Sequence, residues 1–345
     1  MKIGIDLQIL SREEKTGMGR YIEELLPRLK EFKEFEWISF KPKPIKGYRT
    51  IWTHTVLPFS AIIKNINLLF CPANLIPIYV PKKIKILVTV HDIRPKIFPE
   101  AYSDKVRRYY EFEYSFLFKR ADRIITVSQY SKSEIEKFFP EAKGKINVIY
   151  NGIDHSKFRY LNLPRKKQIL FIGAIAKHKN IGNAIKAFSK IYKEIQHKLI
   201  IVGSRDKGLP YDEEINEILK KIPEDRIEFT GKISDEEIVK LYNESELFIF
   251  PSLHEGFGLP PLEAMACGCP VLASNSSSIP EICIDAAMYF NPLDIEDIAN
   301  KLIKATSNTS LLEELRQKGI ERAKKFNWET TAKETIKVIK QLLDE

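Results

Sequence analysis

Apolar, β-branched runs recur along this chain between stretches with helical spacing, and they do so in two successive series. That recurrence restricts the chain to an α/β fold with parallel strands. The first series is 3–7, 68–71, 84–90, 123–127 and 146–150; the second is 168–172, 199–202, 227–229, 247–250 and 271–273. Each series suffices for one Rossmann-like domain, and 345 residues exceed the size at which a single core usually keeps growing. Residues 151–167 combine turn formers, Pro164 and a basic cluster, as an interdomain connection does. The expected division is an N-terminal domain over 1–160, a second domain over 161–327, and a terminal helix over 328–345.

In open α/β sheets, ligands bind beyond the carboxyl ends of the strands. The loops 8–19, 91–99, 128–131, 173–180, 203–209, 231–235, 251–260 and 274–281 are therefore where functional residues are expected. One of them opens the run His-Glu-Gly-Phe-Gly-Leu-Pro-Pro-Leu-Glu-Ala-Met-Ala-Cys-Gly-Cys-Pro-Val, residues 254–271. It follows the apolar strand 247–250 and leads into a helix with prolines in its first turn. Gly256 and Gly258 let backbone approach a ligand, and the amides at the helix start favour an anion. Glu255 and Glu263 flank that nest. A plain tight turn with two solvated glutamates is the competing reading. Against it, Glu263 stands among Leu262, Ala264, Met265 and Ala266, where an idle charge is seldom found.

Other loops carry compatible chemistry. Thr16-Gly17-Met18-Gly19-Arg20-Tyr21 precedes a helix with apolar spacing and offers a second cluster of amides for phosphate. His91 and Asp92 directly follow the strand 84–90, and Lys179 lies in Gly173-Ala174-Ile175-Ala176-Lys177-His178-Lys179-Asn180. Arg205 is an anion or base contact if it is not simply a surface loop arginine. Ser234 and Glu237 have the spacing of a capping box.

The 254–271 run resembles the second-domain signature of retaining nucleotide-sugar glycosyltransferases of family 4, and Thr-Val-His-Asp-Ile-Arg-Pro-Lys-Ile-Phe-Pro-Glu resembles their first-domain signature. The resemblance implies the GT-B fold: two Rossmann-like domains with parallel sheets facing a central cleft, and a C-terminal helix crossing back to the first domain. It also implies roles. Glu255 contacts the hydroxyls of the donor sugar and Glu263 grips the ribose. The backbone of Gly256, Phe257, Gly258 and Leu259 lines the sugar and diphosphate. Gly17, Met18, Gly19 and Gly173 approach the diphosphate, His91 stands near the reacting centre, and Ile233 reads the base through its main chain. Lys179 supplies the positive charge at the leaving group, with His178 and Arg205 as auxiliary contacts. Family members usually carry an arginine shortly before this lysine, where Ala174 and His178 stand here, so a bidentate grip on phosphate is in doubt.

The implied reaction is transfer of a hexose with retention, by same-face attack, since no enzymic nucleophile is evident. The motif combination looks most like mannosyltransferases that use GDP-mannose, with UDP-glucose and other donors left open. No Asp-x-Asp occurs, so neither metal nor cofactor is expected. The acceptor is a saccharide or a lipid-linked saccharide. Two rivals remain, a nucleotide-sugar epimerase of the same layout and a non-catalytic protein that binds nucleotide sugars or nucleic acid. No recognised nucleic-acid motif is present.

Charge is divided unevenly. Residues 1–160 hold 29 Lys and Arg against 18 Asp and Glu, a surplus of 11, whereas 161–345 hold 26 against 28. With the rings and aliphatics around Trp52, Leu57, Phe59, Ile62, Ile63 and 109–118, the basic half is expected to meet an anionic membrane peripherally. A solvated basic face is the plainer alternative. No run approaches the ~18 apolar residues of a spanning helix and no leader pattern is present, so a cytoplasmic location is expected. Cys71, Cys267, Cys269 and Cys283 lack metal spacing and read as reduced packing residues.

Overall fold

The computed structural model describes residues 1–11, 17–43, 48–203 and 213–345, with the backbone alone for 48 and 49. The chain forms two compact units, Met1–Gly152 with Asn327–Glu345, and Ile153–Phe326. The first unit contains β1 (Lys2–Asp6), β2 (Glu36–Phe40), β3 (Leu68–Cys71), β4 (Lys85–Val90), β5 (Arg123–Thr126) and β6 (Ile146–Val148). They form one sheet in the order β2-β1-β3-β4-β5-β6, every pair parallel. Its helices are α1 (Gly17–Leu29), α2 (Tyr48–Ile51), α3 (Leu57–Ile63), α4 (Arg94–Ile97), α5 (Asp104–Arg120) and α6 (Gln129–Phe138), with a π-helical turn over Trp52–Val56 between α2 and α3.

The two-residue period of the strands explains why these runs are apolar throughout. Ile3, Ile5, Leu68, Phe70, Leu87 and Ile125 face one side, against Tyr21, Ile22 and Leu25 of α1. Leu69, Ile86, Val88, Val90 and Ile124 face the other, against Leu57, Leu117 and Phe118. A parallel sheet covered on both sides leaves no polar face for these strands to show.

The second unit repeats the plan with β7 (Lys166–Ile172), β8 (Lys198–Val202), β9 (Ile227–Gly231), β10 (Ser245–Phe250), β11 (Val271–Ser274) and β12 (Ala287–Phe290). The order is β12-β11-β10-β7-β8-β9, again all parallel. α7 (Ile181–Ile191), α8 (Glu213–Leu219), α9 (Asp235–Glu244), α10 (Leu259–Ala266), α11 (Ile279–Cys283), α12 (Ile295–Thr306) and α13 (Thr309–Ala323) surround it. The Ser234–Glu237 capping box forms at the start of α9, as its spacing predicts. Because β7 neighbours both β8 and β10, the strand order reverses there, and the crevice beyond their carboxyl ends is where such sheets bind ligands.

α14 (Trp328–Asp344) completes the first unit, placing Trp328, Ala332, Ile336, Ile339 and Leu342 in the α1 side of its core. The chain passes between units at Gly152/Ile153 rather than near residue 160. Residues 153–161 belong with the second unit because Ile153 N–H donates to Phe326 O, Leu161 N–H donates to Asn243 Oδ1, and the Phe158 ring meets that of Tyr242 edge-on. Gly152 is required where it stands: a Cβ there would lie 2.2 Å from the backbone nitrogen of Trp328.

Two strands fall outside the apolar series read from the sequence. β2 and β12 are edge strands, and the half-exposed positions of Glu36–Phe40 and Ala287–Phe290 dilute their apolar pattern. A second correction concerns Gly17, Met18 and Gly19, expected in a loop ahead of a helix. They are the first turn of α1 itself.

Candidate functional site

In the second unit, the crevice between β7 and β10 is crossed by two hydrogen-bonded loops. After β7, residues 173–180 make a 3-10 turn over Lys177–Lys179, with Asn180 left-handed at φ 55° ahead of α7. After β10, the motif loop reaches α10 through Gly258, whose φ of 108° places it in the region glycine favours. Leu253 N–H donates to His178 O at 2.8 Å, and Lys179 Nζ donates to Glu255 Oε1 at 2.6 Å. The same ammonium stands 5.4 Å from the centre of the Phe250 ring.

Glu255 is held as well as paired. Its N–H donates to Ser277 Oγ at 3.0 Å, and Ser278 Oγ donates to the carbonyls of both Glu255 and Phe257 at 2.9 Å. Glu255 is 7% exposed and Glu263 5%. The Tyr242 hydroxyl lies 3.5 Å from Glu263 Oε2, one turn into α10. Pro260 and Pro261 carry no N–H, so this helix start has the amides of the N-cap Gly258 and of Leu259, preceded by those of the loop residues 256 and 257. Gly173 supports the other loop: its N–H donates to Val202 O at 3.0 Å, and Gly203 packs against its carbonyl so closely that a Cβ would come within 1.9 Å.

In the first unit, His91 follows β4 and is buried. Its Nε2 is 2.9 Å from the carbonyl oxygen of Pro72, its N–H donates to Asn74 Oδ1, and the Tyr21 ring meets it edge-on at 4.8 Å. A carbonyl can only accept, so Nε2 carries the proton and Nδ1 is left as the acceptor. Burial lowers the His91 pKa from its ordinary value, against the opposing Pro72 carbonyl and Asp92, so the ring is neutral near neutral pH. Asp92 caps the next segment, accepting from Arg94 N–H at 3.0 Å and pairing with its guanidinium at 2.8 Å.

Residues 153–326 match the family described as "Glycosyl transferases group 1", and residues 54–157 match "Glycosyltransferase Family 4". The chain belongs to the group 1 glycosyl transferases. It is 33% identical over 277 residues to the serotype-specific mannosyltransferase WbdA of Escherichia coli, covering 75% of this chain but 34% of that relative, so it spans about a third of WbdA's length. It is 28% identical over 372 residues to O-antigen chain mannosyltransferase B of E. coli, covering 95% of this chain and 96% of the relative. Among solved structures, sucrose-phosphate synthase from Thermosynechococcus elongatus superposes with a TM-score of 0.80 at 20% identity, over 100% of this chain and 99% of the other. The fold is therefore GT-B in its two Rossmann-like units.

Within this group 1 glycosyl transferase, Gly173, His178, Lys179 and 255–259 converge on the β7/β10 crevice, with Glu263 on the helix they lead into. Ile233 follows β9, at the far edge of the sheet, two strands from β7. Arg205 lies outside the described residues, as does Thr16. Gly17, Met18, Gly19 and His91 belong to the first unit. The sequence missed the groups that fix Glu255 and His91. Ser277, Ser278, Asn74 and Pro72 all stand in loops or at strand ends, but serine, asparagine and proline there are so common that their type carries no signal.

Proposed function

We propose that this chain transfers a hexose, mannose from GDP-mannose, to a hydroxyl of a saccharide or lipid-linked saccharide, with retention of anomeric configuration and without a metal ion. The observation that carries this reading is the Lys179–Glu255 pair across the β7/β10 switch point, beside the amides 256–259. One cation, one carboxylate and neighbouring N–H groups are what holding and activating a nucleotide sugar calls for. The names of WbdA and O-antigen chain mannosyltransferase B support mannose as the sugar and a saccharide chain as the acceptor.

In the reaction, Lys179 and the 256–259 amides stabilise charge on the departing diphosphate while Glu255 accepts hydrogen bonds from the sugar hydroxyls. The bond from the anomeric carbon to the phosphate oxygen breaks and the acceptor oxygen bonds to that carbon on the same face. The acceptor proton passes to the departing phosphate oxygen, so no protein base is consumed. His91 contributes a neutral acceptor, Nδ1, that orients a hydroxyl.

The test is transfer and hydrolysis with GDP-mannose, UDP-glucose and related donors, with and without chelator, and NMR of the new linkage. Retained configuration with GDP-mannose preferred is expected. Interconversion of donor sugars without an acceptor would instead identify an epimerase, and binding without turnover a non-catalytic protein.

The same reading places the first unit on an anionic membrane at the cytoplasmic face. Ile51, Phe59, Ile63 and Phe112 are exposed on α2, α3 and α5, Lys105 and Arg108 are exposed on α5, and Lys64 is exposed directly after α3; His54, between α2 and α3, meets Glu113 of α5 at 2.9 Å. Trp52, Tyr114 and Phe118 instead belong to the core. Among the described residues, no helix is long and apolar enough to cross a membrane. Co-sedimentation with phosphatidylglycerol vesicles but not phosphatidylcholine vesicles is expected, and pelleting with neither, or equally with both, rules the anionic surface out.

A further inference from the structure

One side chain that the proposed chemistry does not use makes three contacts at once in the second unit: Arg322, in the last turn of α13. Its Nε donates to Ile282 O at 2.7 Å and its Nη2 to Glu281 O at 3.1 Å, while the guanidinium carbon lies 4.7 Å from the centre of the Phe326 ring. A guanidinium suits this combination because its donors lie in a plane whose faces remain free to stack.

Both arms of the contact set lead to the motif loop. On one, the Phe326 ring meets the Phe257 ring edge-on with centres 5.8 Å apart, and both residues are buried. Phe326 is fixed in turn, since its carbonyl accepts from Ile153 N–H at 3.3 Å and lies 2.9 Å from His155 Nε2. On the other arm, Glu281 and Ile282 lie at the carboxyl end of α11, where a basic side chain satisfies carbonyls that the helix leaves open. α11 starts from Ser278, and Ser277 and Ser278 are the groups that hold Glu255 N–H and the carbonyls of Glu255 and Phe257.

The backbone around α11 calls for such a support. Ser277 at φ 57° and Ile284 at φ 49° bracket the helix in the left-handed region. That region is uncommon for serine and costly for a β-branched residue, so it persists only where neighbouring groups fix it. The two Arg322 bonds, just ahead of Ile284, supply that constraint at one end, and the Ser277 and Ser278 bonds to the motif loop lie at the other.

We infer that Arg322 is a positioning residue for the donor: it sets the 255–258 backbone, and with it the Glu255 carboxylate and the loop amides, through Phe326 and through α11. The role rests on the donor seat proposed above. Hydrogen exchange over 251–258, binding of GDP and UDP, and steady-state transfer are measured on the whole protein for wild type, Arg322→Met, Phe326→Leu and Lys318→Ala. Lys318 is the control, a cation on the same helix that pairs with Asp285, just beyond α11, at 3.4 Å.

In Arg322→Met and Phe326→Leu the Glu255 amide should exchange faster, and donor KM and nucleotide Kd should rise about tenfold or more, with acceptor KM unchanged. Lys318→Ala should match wild type. Loss of stability alone would lower the folded fraction, and so the apparent kcat, but leave donor KM where it was. Should Arg322→Met fail to fold, Phe326→Leu decides, since it removes the ring contact and leaves the guanidinium on α11. Donor KM and nucleotide Kd equal to wild type in both variants overturn the role, as does Lys318→Ala raising donor KM as far as Arg322→Met does. Faster exchange in variants of a protein that binds neither nucleotide would keep Arg322 as the support of this loop and refute the donor seat.

Discussion

Replacing Lys179 by Met separates the structural role of the Lys179–Glu255 pair from its chemical one. At 2.6 Å and an effective dielectric of about 20, the two charges attract by about 6 kcal/mol, most of it offset by desolvation of several kcal/mol per ion. Removing one partner of a fully buried pair costs roughly 3–5 kcal/mol. Here the side chains are 16% and 9% exposed, so water screens part of the orphaned charge and about 2–3 kcal/mol is the expected loss. For a unit the size of Ile153–Phe326, each kcal/mol moves the melting midpoint by about 2–4 °C, giving a drop of about 4–12 °C. The double variant Lys179→Met/Glu255→Gln leaves no unpaired charge and should recover most of that drop. It should not recover activity: loss of a donor aimed at developing charge costs ~10²–10³ in kcat, and both variants should show at least that deficit. Thermal melts and single-turnover rates on the same preparations decide. Turnover within about threefold of wild type in Lys179→Met, or restored in the double variant, would refute the catalytic assignment and leave only a structural ion pair.

Gly203→Ala should displace the donor-side loop, because its Cβ would be forced to within 1.9 Å of the Gly173 carbonyl oxygen. A raised donor KM with a stability loss of about 1–3 kcal/mol by urea titration is expected, and an unchanged donor KM would mean that the 173–180 loop does not touch the donor. Burial pushes the Asp6 carboxyl up to about 6, against hydrogen bonds from Gln8 and Trp52. The folded state then holds a proton that the unfolded chain has released, so stability should fall as pH rises from about 4 to about 6, by at most ~3 kcal/mol. Asp6→Asn should flatten that slope, and an unaltered slope in urea midpoints at pH 4.5 and 7 would assign it to other groups.

Among the described residues, ten of the twelve strands could be read from the sequence because a parallel sheet covered on both faces forces long apolar runs, as in Lys85–Val90 and Ser245–Phe250. β2 and β12 were hidden because Glu36 and the half-exposed Met288 and Tyr289 interrupt their apolar pattern. The Lys179–Glu255 contact joins residues 76 apart, yet it was implicit in the strand order, since the switch point brings the carboxyl ends of β7 and β10 together. What could not be read were groups whose roles are set by orientation alone. Ser278 holds two carbonyls of the motif loop, and the Pro72 carbonyl fixes which nitrogen of His91 is protonated. Helix onset was also misjudged at Gly17–Gly19, since two glycines argue locally against a helix that the packing of Met18 and Tyr21 nevertheless begins.

A structure of the protein crystallised with GDP bears most directly on the proposed donor seat. The diphosphate should lie within hydrogen-bonding distance of Lys179 Nζ and the 256–259 amides, with the ribose hydroxyls on Glu263. Nucleotide density elsewhere, with Lys179 still closed on Glu255 and Glu263 untouched, would contradict the account.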